Sequence, residues 1–200
     1  MPKLLGTELE LSRCPHCNVD TPTLQIIHQA QTVDFSGKHK RFWRIYRCNR
    51  CGGLVTAAAE SWDADVTELY PSGIDVDAAI PERAREYLSQ AINSLSSPSG
   101  SVMLAASAVD AMLKAKSLKD GSLYSRIDKA AKDHLITTDM ALWAHEVRLD
   151  ANDERHSDEI SAMPNTSDAK LCVDFALALA QFMFVLPAKV QTGISLAKEA

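Results

Sequence analysis

Two Cys-x-x-Cys pairs decide how the first part of the chain folds: Cys14-Pro15-His16-Cys17 and Cys48-Asn49-Arg50-Cys51. A thiolate is a soft anionic ligand, and four thiolates suit a tetrahedral Zn²⁺ ion at about 2.3 Å. Two residues between the cysteines allow one tight turn to direct both sulfur atoms at the same ion. The 30 residues between the pairs exceed the commonest zinc-site spacing, but they fit a long β-hairpin that returns the chain to its start. We therefore predict one zinc ion with four ligands: Cys14, Cys17, Cys48 and Cys51.

Other uses of these cysteines fit the sequence less well. Two disulfides require an oxidising compartment, which nothing in the sequence indicates. A thioredoxin-like redox site has one Cys-x-x-Cys pair beside a βαβ unit, not two pairs across a hairpin. Iron in a rubredoxin-like site stays an alternative, because its ligand set is the same. Four thiolates leave no coordination position for water, so the predicted ion is structural. The fifth cysteine, Cys172, is expected to be a buried thiol.

The composition is that of a globular protein with two modules. Of the 200 residues, 46% are apolar and 24% are charged, which excludes a disordered or fibrous chain. The net charge of −5 argues against a generally basic nucleic-acid coat protein. Residues 1–62 carry 8 Lys/Arg and 5 Asp/Glu, whereas residues 63–200 carry 13 and 21. This asymmetry predicts a zinc ribbon over 1–62, a linker or docking segment over 63–79 and a helical domain over 80–200.

The predicted fold class is α+β. Three short strands form the ribbon: one over 23–33, one over 42–46, and a third starting at Leu54. Five helices follow, over about 81–95, 101–118, 123–135, a fourth capped by Thr138, and a fifth over about 167–186 that ends at Pro187. The first residues lack the apolar run of a signal peptide, and the last helix is short for a membrane span. We therefore expect a cytoplasmic protein without a membrane partner.

A basic and aromatic strand leads into the second Cys pair: Lys38-His39-Lys40-Arg41-Phe42-Trp43-Arg44-Ile45-Tyr46-Arg47. Cations that follow phosphates and rings that stack on bases are typical of single-stranded nucleic-acid surfaces. Alternation along the strand separates Lys40, Phe42, Arg44 and Tyr46 from Arg41, Trp43, Ile45 and Arg47. The rings can instead form the small core of the ribbon with cations at its rim, or the cluster can dock on the acidic helical domain. The candidate contacts to RNA or DNA are Lys38, Lys40, Arg41, Trp43, Arg44, Arg47 and Arg50.

The fourth helix carries polar residues on a second face. Arg148, Asn152 and His156 are spaced by four and stack along one side of the helix. Buried polar groups require partners, and Asp110 in the apolar second helix is a candidate acceptor for Arg148 or His156. These three residues tie helices together, line a nucleotide or RNA cleft, or act in catalysis. A line of side chains on the same helix predicts a homodimer through the helical domain: Leu142, Leu149 and His156.

Three features together resemble the domain-of-unknown-function family 4145: the Cys-x-x-Cys ribbon, the Ala-rich helix over 101–118, and Val147-Arg148-x-x-x-Asn152-x-x-x-His156. The resemblance covers about residues 65–190. That family is grouped with the HEPN superfamily (higher eukaryotes and prokaryotes nucleotide-binding), which implies a HEPN-like helical bundle, often behind a zinc ribbon. The superfamily includes metal-independent ribonucleases, in which an Arg and a His from paired protomers act on the RNA phosphate and 2′-hydroxyl. Seven residues separate Arg148 and His156, more than in the ribonuclease motif.

These observations predict a non-enzymatic, nucleic-acid-associated binding or adaptor module, and the resemblance implies a setting in phage defence or restriction. Two alternatives stay open. One is a metal-independent ribonuclease that uses Arg148 and His156. The other is a scaffold that binds only protein partners.

Overall fold

The computed structural model describes residues 3–74, 76–156 and 163–199, with the backbone alone for residues 148–156 and 199. The chain forms two compact units, Met1–Ile74 and Asp75–Ala200. The first unit holds a four-stranded sheet and the second is helical, so the predicted α+β class is confirmed.

The sheet of the first unit is antiparallel, with its strands in chain order. The strands are β1 (Leu24–Val33), β2 (Lys40–Cys48), β3 (Leu54–Ala59) and β4 (Glu68–Tyr70). The predicted hairpin between the Cys pairs is formed by β1 and β2. The register passes from Ile26 opposite Tyr46 to His28 opposite Ile45, so one extra residue bulges from β1.

The chain before the first cysteine covers one face of this sheet. Leu5, Leu9 and Leu11 are buried in the same apolar cluster as Tyr46 and Val55. This segment has no regular periodicity, and it is fixed by the strand residues that it covers. The sheet is therefore a two-layer unit, with irregular chain as its second layer.

The prediction of a linker over 63–79 was wrong for its first part. The amide of Leu5 bonds the Ala64 carbonyl at 2.8 Å, and that of Val66 bonds the Lys3 carbonyl at 2.7 Å. The following strand, β4, pairs with β3. The pairing partners of residues 64–66 lie about sixty residues earlier in the chain, so local composition does not reveal them.

The second unit begins with five helices: α1 (Glu82–Asn93), α2 (Pro98–Ala115), α3 (Leu123–Lys132), α4 (Thr138–His156) and α5 (Thr166–Ala180). The nearly all-apolar α2 contacts α1, α3, α4 and α5, as expected for a central helix. Its side chains Val102 and Met112 pack in one core with Leu88 of α1 and Phe175 of α5.

The prediction that the last helix ends at Pro187 was wrong. A π-helical turn, Gln181–Val185, joins α5 to α6 (Leu186–Glu199). In this turn the amide of Leu186 bonds the Gln181 carbonyl, five residues back. A proline has no amide hydrogen and its ring crowds the carbonyl four residues earlier. The wider turn directly before Pro187 shifts that backbone and lets the helix continue.

The segment Thr166–Lys198 is 33 residues long with a mean hydropathy of 1.9, and among the described residues it is the one helix long and apolar enough to cross a membrane. Core helices of soluble proteins reach the same values. Val173, Phe175 and Leu179 in its first half pack in the helical core. Length and hydropathy therefore do not identify this helix as a membrane span.

Candidate metal centre and basic sheet face

The structure brings the four predicted metal ligands together. The sulfur atoms of Cys14, Cys17, Cys48 and Cys51 all lie within 4.8 Å of one another, and the Cys14 and Cys51 sulfurs are 3.9 Å apart. Four sulfurs at about 2.3 Å from one tetrahedral ion are about 3.8 Å from each other. The cluster is therefore compatible with a single tetrahedral metal ion held by four thiolates.

Both Cys pairs adopt the same turn. The Asn18 amide bonds the Cys14 carbonyl, and the Gly52 amide bonds the Cys48 carbonyl, each at 2.9 Å. Asn18 and Gly52 occupy equivalent positions with positive φ angles of 55° and 76°. Glycine adopts this conformation without strain and asparagine tolerates it better than most residues. The sequence therefore places at each pair a residue that closes the turn and directs two sulfurs to one point.

Backbone amides favour the thiolate at Cys48. Burial raises the pKa of this thiol, but hydrogen bonds from the backbone of Cys51 and Arg50, together with neighbouring thiols, outweigh burial and lower it to about 7. The amide of Gly53 also donates to the Cys51 sulfur at 3.4 Å. Amides directed at sulfur stabilise the charged form that binds metal.

His16 lies inside the first Cys pair but serves as a packing residue. Its Nε2 is 2.7 Å from the Leu54 carbonyl oxygen. Its ring covers Gly53 so closely that a Cβ there would lie 2.5 Å from the ring. His16 therefore ties the first Cys turn to the start of β3, and Gly53 provides the space for its ring.

The two faces of β2 have different roles. Phe42, Arg44 and Tyr46 lie on the core face, where Phe42 meets the Trp62 ring edge-on at 4.8 Å. Tyr46 is fully buried and donates its hydroxyl to the Gly6 carbonyl at 2.7 Å. Burial raises the pKa of that hydroxyl. The expectation that aromatic side chains form the ribbon's core therefore holds for this face only.

Arg44 does not belong to the nucleic-acid candidates with which the sequence grouped it. Its side chain is 7% exposed, and its Nη1 donates to the Leu5 carbonyl at 2.5 Å. Its guanidinium also lies 4.9 Å from the Trp62 ring and 3.4 Å from a carboxylate oxygen of Asp63. Arg44 sits on the core face and is held by chain elements remote in sequence, so it has a structural role.

We expect Arg44→Ala to destabilise the N-terminal unit by about 2 kcal/mol, because it removes a buried, charge-assisted hydrogen bond and a cation–π contact. Chemical denaturation of the whole chain, followed by Trp fluorescence, measures the change. Arg47→Ala is the matched control, since Arg47 lies on the same strand with an exposed side chain. Equal stability of the two variants would contradict the structural role of Arg44.

The outer face of β2 presents the other half of the basic strand. Arg41 and Arg47 are exposed, and Trp43 is half-buried with its indole N–H donating to Thr32 at 2.8 Å. In the sheet register, Ile45 faces Thr56, which in turn faces Tyr70. Tyr70 is 55% exposed, so this open face carries a second ring two strands away from Trp43.

One carboxylate lies among these cations. Glu68 is 3.0 Å from Arg41 and accepts a hydrogen bond from the Tyr70 hydroxyl at 3.0 Å. This hydrogen bond raises the pKa of Tyr70. The cation at Arg41 is therefore partly neutralised. Sequence reasoning missed both Glu68 and Tyr70, because they lie in the segment predicted as a linker.

The hairpin tip is ordered around Asp34. Its carboxylate is 2.7 Å from His39 Nδ1 and accepts from the Ser36 hydroxyl and the Lys38 amide. The hydrogen bond with His39, followed by that with Ser36, lowers the pKa of Asp34 to about 2. Phe35 in this turn is 105% exposed. Sequence reasoning also missed this exposed ring. The signal that could have revealed it is the Ser36-Gly37 turn, which directly follows Phe35.

The remaining basic candidates are exposed. Lys38 and Lys40 flank His39 at the tip, and Arg50 lies inside the second Cys turn. All three are compatible with a surface role, as are Arg41 and Arg47.

The candidates on α4 lie outside the described side chains: Arg148, Leu149, Asn152 and His156. Their backbone is helical, as predicted. Leu142, from the predicted dimer line, is 61% exposed. Asp110, proposed as an acceptor for Arg148 or His156, accepts from Arg126 and pairs with Lys114. The catalytic and dimer interpretations stay predictions.

The family comparison covers the helical unit. The model of the family DUF4145, described as a domain of unknown function, matches residues 86–196, so the chain belongs to that family. The match excludes the Cys cluster and the sheet. Searches of curated proteins and of solved structures find no match. The grouping with the HEPN superfamily and the term zinc ribbon stay predictions.

Proposed function

We propose that this protein is a non-enzymatic binding module in which a structural zinc ion holds the N-terminal unit, and the outer face of the sheet binds single-stranded nucleic acid. The observation that carries the proposal is the separation of the two faces of β2. One face, which carries Tyr46 and Arg44, is buried beneath the N-terminal segment. The other face leaves Trp43, Arg41 and Arg47 in one row beside solvent.

The geometry of this face suits bases and phosphates at the same time. Trp43 and Tyr70 are two strands apart, about 10 Å across the sheet at ordinary strand spacing. Exposed rings on a sheet can stack on unpaired bases, and arginines at the edges follow the backbone. The exposed Phe35 and the lysines at the hairpin tip extend the same chemistry beyond the end of the sheet.

Charge supports this face over the rest of the molecule. The N-terminal unit, residues 1–74, carries 8 Lys/Arg and 8 Asp/Glu, whereas residues 75–200 carry 13 and 18. The N-terminal unit is therefore neutral overall, whereas the helical unit carries a net charge of −5 and repels phosphate backbones on average. The cations of the outer face, Arg41 and Arg47, supply the local attraction. Because the outer face carries few cations and Glu68 partly neutralises one of them, we expect micromolar affinity. The affinity should depend moderately on salt, not steeply as in a highly basic protein.

We expect the whole chain to bind fluorescein-labelled dT20 or U20 in an anisotropy titration. Tyr70→Leu should weaken binding about tenfold through loss of a stacking contact. The double variant Arg41→Ala/Arg47→Ala, which removes the two exposed cations of the outer face, should flatten the slope of log K against log salt by about 1.4, which corresponds to two phosphate contacts. Glu68→Gln should strengthen binding several-fold, because it frees Arg41.

The matched control is Lys119→Ala/Lys132→Ala, which removes two exposed lysines from the helical unit. It should leave affinity and salt slope close to those of the parent chain. Thermal melts of every variant report on folding. No binding of either oligonucleotide at 50 mM salt, or equal effects of the double-arginine and double-lysine variants, would overturn the proposal and favour a protein-binding surface.

A further inference from the structure

A cleft in the helical unit carries more positive charge than its own structure neutralises. It has a volume of about 590 Å³ and lies between α1, α2 and the start of α3. Its polar walls come from three elements: Arg83 and Tyr87 of α1; Ser107, Asp110 and Lys114 of α2; Ser122 and Arg126 at the start of α3. This volume falls in the range of small-molecule sites.

The charges that line the cleft do not balance. Three cations, Arg83, Lys114 and Arg126, face one carboxylate, Asp110, among the described lining residues. The surrounding unit has the opposite bias, with 13 Lys/Arg and 18 Asp/Glu over residues 75–200. Three cations around one concave surface in an acidic unit are a local reversal of charge, which favours an anion.

The excess of positive charge includes a buried guanidinium, that of Arg126, which is unfavourable without an acceptor. The residue is 6% exposed, and its Nη1 is buried with no hydrogen-bond partner among the described residues. Its Nη2 donates to Asp110, and its Nε is 3.4 Å from the Ser122 carbonyl. A buried guanidinium with an unmet donor is unfavourable unless an acceptor or counter-charge is supplied.

Asp110 cannot supply all of that counter-charge. One of its oxygens accepts from Arg126 and the other lies 2.6 Å from Lys114 Nζ. Burial raises the pKa of Asp110, but Lys114 and Arg126 outweigh it and keep the carboxyl ionised. One negative charge is thus shared between two cations. Arg83 adds a third at the rim, where its guanidinium is 5.9 Å from the Tyr87 ring and also interacts with Glu86, which is outside the cleft lining.

We infer that this cleft binds the phosphate group of a phosphorylated small molecule. A phosphomonoester or diphosphate offers two or more negative charges and several acceptor oxygens, which matches the surplus of cations and donors. The volume leaves room for an organic group beside the phosphate. Tyr87 gives that group a partly apolar wall. The site lies in a different unit from the sheet face and does not depend on the proposed function.

The test is a titration of the whole chain with pyrophosphate and with AMP at constant ionic strength, followed by calorimetry and by NMR amide shifts. We expect saturable binding to one site, with shifts around residues 107–114 and 122–126. Lys114→Ala, at an exposed position outside the core, should weaken binding about tenfold, as for one charge-assisted contact. Lys119→Ala is the matched control and should bind like the parent chain.

A second variant keeps the inference testable if anion binding is weak. Asp110→Ala removes the internal counter-charge, so pyrophosphate should raise its melting temperature more than that of the parent chain. No saturable binding of pyrophosphate or AMP at 10 mM, or equal stabilisation of both chains, would overturn the inference. The same amide shifts with dT20 but not with AMP would also overturn it, and would assign the cleft to a nucleic-acid backbone.

Discussion

Cys48→Ser is expected to unfold the N-terminal unit while the helical unit keeps its structure. Cys48 is buried in the core of the first unit next to Leu24 and Val55. The substitution removes one of four thiolates that a tetrahedral ion requires, and it replaces a soft ligand with a hard, weakly acidic hydroxyl. The sulfur cluster is also the point at which the two Cys turns meet, so losing the ion separates them.

The magnitude follows from the size of the unit. A domain of about 70 residues has only a few kcal/mol of net stability, whereas structural zinc contributes about 10–16 kcal/mol of apparent binding free energy at neutral pH. The free energy lost with the ion therefore exceeds the free energy of unfolding of the unit. A chelator strong enough to remove the metal should give the same result with the parent chain.

Elemental analysis and amide NMR measure the outcome. The parent chain should hold about one zinc per chain, and Cys48→Ser should lose it together with the dispersed amide signals of residues 3–74. Cys172→Ala is the control, because Cys172 is a buried thiol of the helical core remote from the four ligands in sequence. A folded Cys48→Ser sheet without metal would contradict the structural role, and iron–thiolate absorption would assign iron instead of zinc.

Asp110→Ala is expected to destabilise the helical unit by about 3 kcal/mol. The substitution leaves the Arg126 guanidinium buried without its counter-ion, which is the costly way to break a buried ion pair. Lys114 also loses its partner, but it is exposed and regains hydration. Chemical denaturation followed by far-UV circular dichroism, which reports mainly on the helices, measures the change.

Asp133→Ala is the matched control for this ion pair. Asp133 also pairs with a lysine four residues away, Lys129 at 2.8 Å, but on the surface of α3. We expect it to change stability by less than about 0.5 kcal/mol. Similar losses for both variants would show that Arg126 does not depend on Asp110.

Lowering the pH should also break the ion pair between Asp110 and Arg126, because it protonates Asp110. The pKa of Asp110 is lowered from its ordinary 3.8 in the folded chain, so its contribution to stability is present above that value. The contribution is lost as the pH falls through the lower, folded pKa. The difference in stability between the parent chain and Asp110→Ala should therefore shrink below about pH 4.

Local patterns predicted most elements of both units. Hydrophobic periodicity located five helices, and the Cys spacing with β-branched and aromatic residues located the hairpin. The residues that these patterns missed are held by distant partners. Ala64 and Val66 pair with the N-terminal segment, and Pro187 is accommodated by a π turn that no short motif announces.

The same distinction applies to the candidate sites. The four sulfurs follow from spacing alone, because each pair is a local turn and the hairpin joins them. Alternation correctly separated Arg44 from Arg47, but it did not reveal which face is sealed, since Leu5 and Trp62 cover Arg44 from elsewhere in the chain. Arg126 carried no sequence signal, because its importance comes from burial beside a helix that lies earlier in the chain.

The leading residues of the chain serve as a lid on the sheet. Leu5 is fully buried, and its carbonyl accepts a hydrogen bond from Arg44. The neighbouring Gly6 carbonyl accepts one from the Tyr46 hydroxyl. An expression product trimmed to begin at Cys14 would keep all four sulfur ligands yet lose this covering layer, so that Tyr46 loses its Gly6 acceptor and Arg44 keeps the Asp63 carboxylate alone. Because residues 3–5 pair with residues 64–66 and the sheet ends with β4, this covering segment can close only after the chain has been synthesised beyond Tyr70.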